Sequence, residues 1–323
     1  MGRRERLIGP MTVAEASVLT DGGAGETPRR RPSQDTLPPR NSRGFTRYLG
    51  LAPFSLYVLL FLVLPTLLAV LTGFFTEDGD FTWSNLLGLF DPLILGTFVS
   101  SFWVSAVTAI VGAVAGALVC YALLGSRSDG LLRTVVDSAS SVLAQFGGVM
   151  LAFAFIATIG IQGLLTVSLK NWFGIDIFAE GVWLYQVPGL LPVYLYFQIP
   201  LMIITFMPAL EGLKVQWAEA SATLGGTRFS YWTRIAAPVL APSFFGSLLL
   251  LFANAFSSYA TAAALISQGS QIVPLQIRSA LVSETVLGRE NMAGALALGM
   301  IVVMVVVMTG YSALQRRTAR WQQ

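Results

Sequence analysis

Six runs of apolar residues, none carrying Asp, Glu, Lys or Arg in its middle, leave this chain one kind of architecture. A helix needs about 20 residues to cross a hydrocarbon core about 30 Å thick. The stretches at about 52–75, 97–124, 142–169, 187–210, 239–266 and 292–314 all meet that length. Hydrocarbon offers no partner to a free amide or carbonyl, so each run is expected to be a helix and the chain an all-α, multi-pass bundle. Pro53, Pro65 and Pro200 fall inside these runs, which membrane helices tolerate when neighbours re-satisfy the freed carbonyls. Composition agrees, with 54% hydrophobic and only 11% charged residues, against about 25% charged in soluble domains.

Charge distribution orients the runs. With both termini on the cytoplasmic side, seventeen of the twenty Lys and Arg fall on inner segments, and only Lys170, Arg278 and Arg289 fall outside. That asymmetry is what the positive-inside bias demands, so six spans with cytoplasmic termini are expected. The bias also accounts for the net charge of +3 without any nucleic-acid partner. Residues 1–46 form a separate block rich in Gly, Pro, Ser, Thr and Arg, expected to be a disordered basic tail, either a solvated segment that fixes orientation or a regulatory one that touches anionic lipid. No apolar stretch follows its first arginines, so a secretory signal is not expected there. Residues 47–323 are expected to form the membrane domain. Gly112 and Gly116 make a GxxxG in the second span, with Ala113, Ala115 and Ala117 beside it, a pattern that favours close helix approach and says nothing of chemistry. The aromatic stretch from Lys170 to Gly189 and the segment 267–291 read as outer-face elements, the latter with a short surface helix.

Several function classes drop out. The chain has no His and a single Cys, Cys120, which excludes His-based metal sites, a His general base and an internal disulfide. No metal site and no catalytic residue are expected. The spans lack the ionisable relay that proton-coupled carriers keep in the membrane. No G-x-x-x-x-G-K-[ST] occurs, so the chain has no phosphate-cradling loop of its own. Energy for any transport would have to come from another protein.

The long polar stretch of the C-terminal half is Trp217–Pro242, WAEASATLGGTRFSYWTRIAAPVLAP. Small and acidic residues at helical spacing (Ala218, Glu219, Ala220, Ser221, Ala222) lead to Gly225, where a helix would stop. Ile235 and Pro238 follow, and Pro238 is expected to mark the junction where the fifth span starts. Glu219-Ala220-Ser221, Gly225, Ile235 and Pro238 closely resemble the EAA loop of binding-protein-dependent importer permeases, E-A-A, three residues, G, nine residues, I-x-L-P. Ser221 stands for the second Ala and Ala237 for the Leu, both small replacements.

The resemblance covers about 90–314 and implies a type I ABC importer permease fold. It implies no cofactor on this chain, with ATP and Mg held by two separate ATP-binding subunits on which the 217–238 loop docks. It also implies a second permease subunit, non-identical in most of that group, an extracytoplasmic solute-binding protein, and a place in the bacterial inner membrane. Transport would proceed by alternating access as ATPase closure rocks the paired permeases. SSYATAAAL, VPLQIRSAL and YFQIPLMIITFMPALEGL look like the polyamine, ferric-ion and phosphonate importer permeases, with sugar importers as near neighbours. That implies a small polar or charged solute. By analogy of fold, the polar residues Tyr194, Tyr196 and Gln198 on the fourth span and Asn254, Ser257, Ser258 and Tyr259 on the fifth are candidates for the solute path, or else for hydrogen bonding between helices. The competing class is a self-sufficient carrier or channel.

Overall fold

The computed structural model describes residues 51–76, 78–125, 130–266, 272–282 and 290–319, with side chains from 291 to 313 in the last of these. The expected tail, 1–46, lies outside the described residues. Contacts divide the chain into Met1–Ser55 and Leu56–Gln323, and the architecture below is that of the second unit.

Among the described residues eleven helices organise it: α1 (Ala52–Thr72, of which Leu56–Thr72 lie in this unit), α2 (Pro92–Leu123), α3 (Leu131–Gln145), α4 (Gly148–Ile159), α5 (Leu164–Phe173), α6 (Leu190–Glu211), α7 (Val215–Thr223), α8 (Arg228–Phe256), α9 (Ala260–Leu265), α10 (Val273–Val282) and α11 (Glu290–Ala319). Short helical turns at Ser84–Phe90 and Trp183–Gly189 join some of them. No strand forms among the described residues, beyond an isolated bridge between Phe75 and Phe81. Among the described residues, six helical segments are long and apolar enough to cross a membrane: Ala52–Thr72, Pro92–Leu123, Gly148–Phe173, Val187–Glu211, Arg228–Phe256 and Asn291–Ala313.

The centre of the bundle is the crossing of α2 and α6, and the glycines of α2 explain its closeness. A Cβ placed on Gly116 would stand 2.5 Å from Met202 Cβ, and one on Gly112 would stand 3.1 Å from Gln198 Cβ. Gln198 and Met202 are one turn apart on α6, so they seat against the two glycines in register. Small residues at such a crossing let two backbones approach, which is how helices gain contact in lipid. Gln198 is fully buried and its Nε2 donates to Thr108 Oγ1 on α2 at 2.8 Å. Around this axis pack Ala109, Ala113 and Cys120 of α2, Ile203 and Phe206 of α6, and Leu251 and Phe252 of α8.

The third crossing departs from a single run over 142–169. Helix α3 begins at Leu131, eleven residues earlier, and lies antiparallel to α6: Arg133 pairs with Glu211, while Phe146 and Phe155 both set their rings against Tyr196. Helix α4 continues past the N-terminal part of α6, with Leu151 and Ala152 buried beside Leu190 and Val193. A second interruption at Gly160–Gly163 then starts α5 as a separate helix. Two glycines make the first break. Gly148 has φ +74, a conformation that costs other L-residues. The Gly147 cap has no side chain, so the Gly148 amide donates to Thr261 Oγ1 at 2.9 Å.

The fifth crossing is broken as well, at Ser257–Tyr259, before resuming as α9. It also starts earlier than expected. Pro238 is the second residue of the regular helix, but α8 is helical from Arg228 and carries a π turn at Trp232–Ala236. Pro238 and Pro242 lack amide hydrogens, which favours such local re-pairing. A short helix, α10, does form within 267–291, but Val273, Pro274, Leu275 and Ala280 are buried, and the Val273 amide donates to Ser101 Oγ of α2 at 2.8 Å.

Candidate functional site

Three links collect one end of the bundle. Arg133 pairs with Glu211, Tyr121 late in α2 meets Trp232 edge-on with centroids 5.0 Å apart, and Tyr311 late in α11 donates to the Pro242 carbonyl at 2.8 Å. Leu124, the segment 212–227 and the last turns of α11 therefore share that end. It is the end on which the motif stretch lies.

The stretch folds as a short helix with a defined stop. Lys214, extended at φ −76 and ψ 132, precedes α7, which ends at Thr223. Gly225 follows in the left-handed region at φ +76. The Gly226 amide donates to the Ser221 carbonyl at 2.8 Å and the Gly225 amide to Ala222 at 3.0 Å. These are the two bonds of a Schellman turn, which satisfies carbonyls the helix end would leave unpaired. Gly226 is constrained differently: a Cβ there would lie 2.5 Å from Ser221 Oγ. Thr227 then caps α8, its Oγ1 accepting from the Ser230 amide at 3.2 Å.

The eight motif residues divide by exposure. Glu219, Ala220, Ala222 and Gly225 are exposed, while Ala218, Ser221, Ile235 and Pro238 are half-buried. Leu224 is 88% exposed and Phe229 77%, an unusual display of large apolar side chains beside a polar helix. Between α7 and the start of α8 lies a cleft of about 650 Å³ lined by Trp217, Ala220, Ser221, Leu224, Arg234 and Ile235, among others. A short helix of small residues, closed by a tight turn, thus stands beside two exposed large apolar side chains, Leu224 and Phe229.

The polar residues of α6 and α8 fall into two groups. Tyr194 and Gln198 are buried: the Tyr194 hydroxyl donates to the Ser258 carbonyl at 3.1 Å, and Gln198 binds Thr108. Gln198 Oε1 has no hydrogen-bond partner among the described residues and rests against Gly112. Asn254, Ser257 and Tyr259 are exposed, and Tyr196 and Ser258 are half-buried. Ser257 Oγ returns to the Ala253 carbonyl at 2.9 Å, a bond within its own helix. Thr261 and Tyr194 thus satisfy backbone groups at the two helix breaks, which brings the breaks at 147–148 and 257–259 side by side. Thr108, Thr261, Arg133 and Glu211 were not among the sequence candidates. Arg133 had a readable signal, a lone cation just inside a helix start, but the two threonines sit in apolar runs with nothing to single them out.

No protein-family model matches the chain. It is 25% identical over 219 residues to the sulfate transport system permease protein CysT of Salmonella typhimurium, which spans 67% of this chain and 73% of that protein. It is 22% identical over 264 residues to the spermidine/putrescine transport system permease protein PotB of Haemophilus influenzae, 79% and 89% of the two chains. Among solved structures, a bacterial ABC transporter involved in import of the acidic polysaccharide alginate superposes with TM-score 0.67 at 18% identity, over 85% of this chain and 96% of that one. A bacterial alginate ABC transporter in complex with an alginate pentasaccharide-bound periplasmic protein superposes with TM-score 0.66 at 17% identity, over 85% of this chain and 95% of that one. The fold is that of ABC importer permeases, and both sequence relatives are permease proteins of solute transport systems.

Proposed function

We infer that this multi-pass membrane chain, with its importer permease fold, is the permease subunit of a binding-protein-dependent ABC importer and carries a small charged solute across the bacterial inner membrane. The observation that carries the coupling role is α7, ending in a Schellman turn at Gly225 and flanked by exposed Leu224. Two ATP-binding subunits, holding ATP and Mg, would grip α7 on each of two paired permeases. The end of the bundle bearing α7 would face the cytoplasm, consistent with the positive-inside bias of the sequence. A periplasmic binding protein would dock on the opposite end. This chain supplies no catalytic group; it turns closure of the ATPase pair into a rocking of helices.

The solute path would run along the exposed side of α8, past Asn254, Ser257 and Tyr259, close to the paired breaks in the third and fifth crossings. Discontinuous helices near the midplane are where transporters expose backbone groups to a solute. Support for a small ion as cargo comes from the sulfate and polyamine permeases to which the sequence is similar. Tyr194 and Gln198 would contribute by holding the helices that form the path.

Co-purification from native membranes in mild detergent tests the reading. An ATPase subunit and a second permease should accompany the wild type, and Glu219→Lys or Gly225→Asp should lose or uncouple the ATPase. ATP-dependent uptake of radiolabelled sulfate and of putrescine, measured side by side in vesicles, discriminates the cargo. A wild type that purifies alone would overturn the assignment in favour of a self-sufficient carrier or channel, and variants that retain full ATP-driven uptake would overturn the coupling role of α7.

A further inference from the structure

Arg133 and Glu211 each stand at the unfavourable end of their own helix. Arg133 is the third residue of α3, where unpaired amides favour a negative charge, and Glu211 is the last of α6, where unpaired carbonyls favour a positive one. Because α3 and α6 run antiparallel, each charge lies at the complementary end of its neighbour. The Arg133 guanidinium meets Glu211 Oε1 through one Nη, and its Nε stands 3.5 Å from Asp137 Oδ2 one turn along α3. The arginine side chain is only 14% exposed, against 47% and 45% for the two carboxylates, so a largely buried cation is clasped by acids from two helices. A planar guanidinium can serve both at once, which an ammonium cannot do in the same geometry. Only Gly212, Leu213 and Lys214 separate Glu211 from α7.

We propose that this pair is a strut binding the third crossing to the docking helix, with Arg133 and Glu211 as positioning residues that make α3 follow α7 during transport. The proposal rests on the coupling role of α7 given above. Displacement of α7 by an ATPase reaches α6 through three residues, and the strut passes it sideways to α3. It continues to α4, whose first amide is held by Thr261 beside the polar break of the fifth crossing.

Spin labels at Ser138→Cys on α3 and Thr223→Cys on α7, in a Cys120→Ser background, read the separation by pulsed electron resonance in the intact complex, nucleotide-free and vanadate-trapped. A narrow distance distribution, the same in both states, is expected for the otherwise native chain. Arg133→Glu should broaden it and lower ATP turnover roughly fivefold or more, within the usual range of coupling energies. Arg133→Lys should fall between, and the swap Arg133→Glu with Glu211→Arg should restore both readings. A separation that changes between states without any substitution at the strut, an Arg133→Glu variant like the parent, or a folded swap that fails to recover each overturns the strut. Absence of any co-purifying ATPase would instead refute the coupling role, and the label distances in the chain alone would still decide whether the pair fixes α3 to α7.

Discussion

Gly116→Ala is the sharpest test of how the bundle is held. The added methyl would lie 2.5 Å from Met202 Cβ, 2.7 Å from its Cγ and 3.0 Å from the Ile199 carbonyl oxygen. Carbon atoms rest comfortably at about 3.5–4.0 Å, so the methyl falls short by about 1 Å against atoms tied to the α6 backbone. Rotating Met202 moves Cγ but not Cβ, so the helices themselves must part. Overpacking of that kind costs about 1–3 kcal/mol, offset by about 1 kcal/mol of helix propensity gained on replacing glycine. Those two terms leave a net loss of up to about 2 kcal/mol, and the 2.5 Å approach to a Cβ tied to the α6 backbone puts this site toward the upper end. Gly112→Ala meets its nearest atoms at 3.1–3.4 Å, needs only a few tenths of an ångström of adjustment, and should be close to neutral. The assay is apparent melting of the detergent-solubilised protein, followed by size-exclusion fluorescence at one fixed heating protocol, because membrane proteins unfold irreversibly. Met202→Ala keeps the offending Cβ and should not rescue Gly116→Ala, whereas Met202→Gly should show a favourable coupling in a double-mutant cycle. Wild-type melting of Gly116→Ala, or a larger loss for Gly112→Ala, would refute the account.

Gly225→Val forces a β-branched residue to φ +76; it should cost the turn about 1–2 kcal/mol and weaken ATPase co-purification while leaving overall melting near wild type. Thr261→Val strands the half-buried Gly148 amide and should destabilise by about 1 kcal/mol, with Thr261→Ser recovering most of the loss in the same melting assay. On the α5 side, the Lys170 ammonium, donating at 2.9 Å, and the Phe178 amide hold the exposed Asp176 carboxyl below the ordinary carboxylate range. A lowered folded value means that whatever the contact contributes is intact at neutral pH and disappears only as pH falls through that value. Carbon-detected titration should place its midpoint below that of a free aspartate, and Lys170→Met should raise it; an unchanged midpoint would refute the pairing.

Much of the architecture was legible because it follows from apolar run length. The second, fourth and sixth runs became α2, α6 and α11 with ends shifted by a few residues, as expected where caps and not hydropathy set the boundary. Asp91 is such a cap: its Oδ1 accepts from the Leu93 amide at 2.9 Å and starts α2 ahead of the hydropathy boundary. The stop at Gly225 was readable because a left-handed position after a helix has few other solutions. The third run misled. Hydropathy smooths over Phe146-Gly147-Gly148, and the polar, amphipathic α3 does not look like part of a crossing until α6 is placed beside it. In the same way, Tyr194 and Gln198 are polar residues in an apolar run, and sequence offers no means of telling a path from a hydrogen bond between helices. Their partners, the Ser258 carbonyl and Thr108, come from spans far away in sequence.

The split third crossing has a consequence for biogenesis. At twelve residues α4 extends about 18 Å, well short of a bilayer core. Its first amide is satisfied by a threonine 113 residues further along the chain, which the ribosome has yet to synthesise when α4 emerges. Although α4 and α5 together are long enough to cross, the amide that opens the crossing lacks its partner until α9 arrives, so this part of the crossing is expected to settle late. Chains truncated after residue 211 should therefore leave the third segment accessible to water-soluble thiol reagents at an engineered cysteine, and chains extended past 266 should protect it.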